Sequence, residues 1–106
     1  MIFLKRGVKL QGPAKVNLHP IWHEYALEEI EAVFVQYGSP CVITSAWEGK
    51  HRPDSLHYMG RALDFRTRTV KKSLRVALTV DIDDVLGIGW DVIFEGDHLH
   101  VEYDPR

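Results

Sequence analysis

From His19 to Gly38 the apolar residues recur at a helical period. Trp22, Ala26, Ile30, Val33, Phe34 and Tyr37 share one face, and Glu24, Glu28 and Glu31 lie opposite. Pro20 suits the first helical position and Gly38 the exit, so a helix is expected across this stretch. "PCVITSAW" is short and β-branched and reads as a strand. "EGKHRPDSLHYMG" follows as a polar loop punctuated by Gly and Pro. "RALDFRT" reads as a second strand. "VKKSLRVALTV" reads as a second helix, with Val70, Leu74, Ala77 and Leu78 inward. "DIDDVLGIG" is ambiguous, a further helical turn being one reading. Residues 1–18 read as a loose N-terminal lead.

The last segment, "WDVIFEGDHLHVEY", reads as a hairpin turning at Gly96-Asp97. That turn sets Phe94 against Leu99, Ile93 against His100, Val92 against Val101 and Trp90 against Tyr103. Opposed residues share a face. One face therefore collects Trp90, Val92, Phe94, Leu99, Val101 and Tyr103 as the core side. The other carries His98 and His100, two apart and side by side. Asp97 sits in the turn at the edge of that second face.

Composition narrows the chemistry. A chain of 106 residues is expected to form a single domain. With 26% charged residues and a net charge of -2, it has no overall pull toward nucleic acid or membrane. Cys41 is the single cysteine, which excludes an intrachain disulfide and a thiolate zinc cage. A metal would need imidazole and carboxylate ligands. The opening "MIFLKRGVKL" lacks the apolar stretch of a secretory signal, so cytoplasmic synthesis is expected. No run approaches the roughly 20 apolar residues of a membrane span.

Such ligands are present. His57 lies on the polar loop, Asp64 on the strand after it, and a histidine of "HLH" supplies a third. Catalytic zinc takes three protein ligands and leaves a fourth position open. Gly60 lets the backbone between His57 and Asp64 turn tightly. His19 and His23 are spaced four apart at a helix start but lack a third partner.

The pattern S-x-H-x-x-G-x-A-x-D, here Ser55, His57, Gly60, Ala62 and Asp64, is followed by D-H-x-H, here Asp97, His98 and His100. Together these resemble the zinc D-Ala-D-Ala carboxypeptidases. That family includes phage L-alanyl-D-glutamate endolysins and shares its fold with the Hedgehog signalling domain. The resemblance covers roughly residues 20 to 105 and takes in "VITSAW" and "HLHVEYDP". It implies an α+β fold, a small antiparallel sheet with helices packed on one face and the site on the other. It implies zinc bound by His57, Asp64 and His100, with Asp97 as general base and His98 steadying the developing oxyanion. Glu95, across the turn from His98, is the rival base. Ser55 could donate to a ligand or to the backbone. Where many relatives carry an arginine after the first strand, this chain has Glu48, so Arg52 or Arg61 would hold a substrate carboxylate.

The expected function is a zinc metallopeptidase acting on D-amino-acid-containing peptides, above all peptidoglycan stem peptides. Either terminal D-Ala or the L-Ala-D-Glu bond could be the target. A phage lysin released through a separate pore is one setting. The alternative is a zinc-bearing binding module of the same fold with little or no peptidase activity. Six of the 13 basic residues, Arg61, Arg66, Arg68, Lys71, Lys72 and Arg75, form a cluster. It reads as a solvated surface, or as attraction to an anionic polymer such as cell-wall material; no nucleic-acid reader motif accompanies it.

Overall fold

The computed structural model describes residues 1–10, 18–46 and 60–105. The chain is α+β: a five-stranded mixed sheet with two helices packed against it. The strands are β1 (Ile2–Leu4), β2 (Cys41–Ser45), β3 (Ala62–Arg66), β4 (Trp90–Phe94) and β5 (His98–Tyr103), in the spatial order β1-β2-β3-β5-β4. The helices are α1 (Leu27–Gln36) and α2 (Arg75–Leu86).

β2 through β5 pair antiparallel, as expected, but β1 runs parallel to β2, with Ile2 beside Cys41 and Leu4 beside Ile43. The sheet is therefore mixed, and part of the lead expected to be loose is a strand. The cause is topological. Parallel neighbours need a long crossover, and the segment carrying α1 provides one. The Met1 amino group also pairs with Glu31 of α1.

The helix expected from His19 onward opens with a π-helical turn, Trp22–Ala26, and continues as α1. Trp22, Ala26, Ile30 and Phe34 are fully buried on its inner face. Gly38 follows the helix at φ 72°, the left-handed region that glycine enters most readily. Trp22 is pinned twice. Its ring meets Trp90 edge-on at 4.9 Å, and its Nε1–H donates to the Gly60 carbonyl at 3.1 Å. The His19 N–H donates to the same carbonyl at 2.9 Å. Gly60 itself stands at φ 69°, so the residue that leads into β3 is both left-handed and held from the helix side.

Two details of the second helix differ from expectation. Leu74 and Ala77 are exposed, and the buried positions are Leu78, Ile82 and Leu86. A 3-10 turn over Lys72–Leu74 precedes α2 and changes the phase of the inward face. The ambiguous "DIDDVLGIG" continues the same helix to Leu86, its acids Asp83 and Asp84 exposed. Tyr37 donates to Asp81 Oδ2 at 2.5 Å and ties α1 to α2.

The core lies between the helices and one face of the sheet. Phe34, Ile43, Leu63, Phe65, Leu78, Ile82, Leu99 and Val101 are all fully buried there. Each such side chain stabilises the fold by about 1.5–3 kcal/mol through burial. No helix of the described residues is long and apolar enough to cross a membrane.

Candidate metal centre

Because side chains alternate along a strand, burying Leu63, Phe65, Leu99 and Val101 sends Asp64, His98, His100 and Glu102 to the opposite face. The hairpin has the expected register, with Trp90 opposite Tyr103, Val92 opposite Val101, Ile93 opposite His100 and Phe94 opposite Leu99. On its other side β5 pairs with β3, placing His100 directly opposite Asp64, His98 opposite Arg66 and Glu102 opposite Ala62. The polar face thus faces away from the helices.

β2 contributes an irregularity at this point. Ile43 pairs with Phe65, but Ser45 rather than Thr44 stands opposite Asp64. The extra residue is a bulge, a device common beside functional sites. It brings Ser45 to Asp64, a neighbour that strand alternation alone would not have supplied.

His100 is held at both nitrogens. Nδ1 lies 2.9 Å from Asp64 Oδ1 and Nε2 lies 2.8 Å from Glu102 Oε1. The His100 and Asp64 side chains are only 15% and 13% exposed. The hydrogen bond to Asp64 raises the imidazole's pKa, burial opposes the rise, and Glu102 adds to it, leaving the ring at about 9. An imidazole and a carboxylate on adjacent strands, converging edge to edge, are the donor types that zinc accepts when thiolates are absent.

Toward the turn, His98 Nδ1 lies 2.6 Å from Asp97 Oδ1, and its Nε2 lies 4.0 Å from Glu95. Asp97 is 91% exposed. Its carboxyl pKa is held below the ordinary value, first by the hydrogen bond from His98, while the charge of Asp64 opposes that shift. Gly96 turns at φ 82° beside Asp97.

Of the residues singled out from sequence, Asp64 and His100 meet, and His98 and Asp97 flank them on the turn side. Arg61 precedes β3 and accepts the Tyr103 N–H at 2.7 Å through its carbonyl. His57, Ser55 and Arg52 lie outside the described residues, as do Glu48 and His51. His19 is committed elsewhere: Nδ1 accepts the Ile21 N–H at 3.1 Å, and its ring packs on Tyr103 at 5.1 Å. Within the basic cluster, Arg75 serves the backbone, its Nε donating to the Val70 carbonyl at 3.0 Å.

Besides Ser45, two residues on this face are absent from the sequence reading of the site. Glu102 is reachable by alternation alone, two positions beyond His100. Arg66, two positions beyond Asp64 and opposite His98, shares their face and was counted only within the basic cluster. Among the described residues, one other group has metal-ligand character. Asp91, Glu102 and Asp104 bring one carboxylate oxygen each within 4.8 Å of one another.

No protein-family model matches the chain, and no curated protein matches it significantly.

Proposed function

We propose that the chain is a zinc metallopeptidase hydrolysing D-amino-acid-containing peptides, with peptidoglycan stem peptides as the substrate class. Asp64, His100 and His57 would hold the metal. The observation that carries this reading is the direct opposition of Asp64 and His100 across β3 and β5, 2.9 Å apart on the face away from the helices. When bound, zinc supplies a Lewis acid that polarises a carbonyl and lowers the pKa of water to about 7.

The remaining work falls to the chain. Asp97, whose carboxyl pKa the contact with His98 holds below its ordinary value, would accept the proton of the attacking water and pass it to the leaving amine. His98 would donate to the oxygen on which negative charge develops. Arg66 joins Arg52 and Arg61 as a candidate for the substrate carboxylate, since it shares the face of Asp64 and His98. Guanidinium groups meet carboxylates through two parallel hydrogen bonds. Exposed Arg68, Lys71 and Lys72 beyond the end of β3 would add attraction to an anionic cell-wall polymer.

The second reading, a zinc-bearing binding module, draws support from the 2.6 Å contact between Asp97 and His98, which occupies both groups with each other. Incubation of zinc-loaded protein with purified muropeptides, wild type beside Asp97→Ala, separates the two. Products released by wild type and lost in Asp97→Ala support the peptidase. Equal background release from both leaves a binding module.

A further inference from the structure

A neutral imidazole has one proton and one lone pair, and which nitrogen carries which decides whether the ring binds a metal from the productive side. His100 has a carboxylate at each nitrogen, Asp64 at Nδ1 and Glu102 at Nε2. We infer that Glu102 is a positioning residue for the metal centre: by accepting the Nε2 proton of His100 it fixes the tautomer whose lone pair lies on Nδ1, toward Asp64. This rests on the zinc reading above.

The contact is built into the strand. His100 and Glu102 are two apart on β5 and therefore share a face, and their polar atoms meet at 2.8 Å. Glu102 stands between Ala62 of β3 and Asp91 of β4. The small Ala62 puts no bulky side chain beside the carboxylate on the β3 flank. On the other flank the Asp91 and Asp104 carboxylates lie within 4.8 Å of it. Of the three acids, Glu102 is the one whose carboxylate meets the His100 ring. Histidine ligands generally donate their other N–H to such a carboxylate, which orients the ring and increases its basicity.

The test uses the full chain, stripped of metal by chelation. Zinc affinity is measured by competition with a chromophoric chelator for wild type, Glu102→Ala, Glu102→Leu and Glu102→Gln. In parallel, nitrogen-15 NMR of the zinc-loaded proteins identifies which nitrogen of His100 carries the proton. The expected result is a proton on Nε2 in wild type and affinity about 10- to 100-fold weaker in Glu102→Ala. Glu102→Gln, which keeps an acceptor oxygen, should recover much of that loss. Glu102→Leu keeps the volume and carries the comparison should the alanine variant fail to fold. Tight wild-type binding with unchanged affinity in the variants overturns the role of Glu102 and leaves the metal reading standing, whereas a wild-type proton on Nδ1 overturns both that role and ligation through His100 Nδ1. Failure of wild type to bind zinc overturns the role of Glu102 and the metal reading together.

Discussion

Asp64 and His100 stand opposite each other on neighbouring strands, with Asp64 Oδ1 2.9 Å from His100 Nδ1. Two separate features produce that pairing. The hairpin turn at Gly96-Asp97 determines which way His100 faces, and the β3–β5 register brings Asp64 to it. If the pair is half of a zinc site, removing either side chain should remove the metal. His100→Ala and Asp64→Ala are expected to lose stoichiometric zinc by elemental analysis, and His57→Ala should lose zinc and thermal stability together. Unchanged zinc in His57→Ala would remove that residue from the site.

The metal-free chain should lose stability as the pH rises. The His100 pKa is raised in the folded state from an ordinary 6.5 to about 9. A raised histidine pKa contributes stability that is complete below 6.5 and is lost as the pH climbs through about 9. Thermal midpoints measured across that window in the presence of a chelator should therefore fall. Asp64→Asn should flatten the decline, because the hydrogen bond to Asp64 is the largest cause of the shift.

Trp22→Phe should destabilise the fold by about 1–3 kcal/mol in urea titration, through smaller buried area and a lost donor to a buried carbonyl. The indole of Trp22 meets both Trp90 and the Gly60 carbonyl. The substitution thus loosens the start of β3 from the helix side. An effect confined to a few tenths of a kcal/mol would mean that the His19 N–H satisfies that carbonyl by itself.

Asp97→Asn should lower peptidase turnover by about 100- to 10,000-fold, the range for a lost general base. Zinc content should stay at the wild-type level, because Asp97 is no ligand in this account. Glu95→Gln should leave turnover near wild type. The reverse pattern would move the base to Glu95, which lies 4.0 Å from His98.

The hairpin was legible because a two-residue turn settles the register of every pair behind it. The first helix was legible because Trp22, Ala26, Ile30 and Phe34 repeat every four residues between Pro20 and Gly38. β1 was not, since three residues with largely exposed side chains become a strand only through their partner β2. Leu74 and Ala77 were placed inward by extending an α-helical phase through what is a 3-10 turn. Ser45 escaped notice because a bulge is invisible to strict alternation. Glu102 carried a readable signal, its place two residues after His100. A carboxylate on an exposed-looking strand face otherwise reads as solvated, and only the 2.8 Å contact gives it a role.

The most direct measurement is diffraction at the zinc absorption edge from crystals of the zinc-loaded protein. One anomalous peak is expected about 2.0–2.2 Å from His100 Nδ1 and from an Asp64 carboxylate oxygen, with His57 as the third protein ligand. No peak between those two strands, or a peak held instead by Asp91, Glu102 and Asp104, would contradict that assignment.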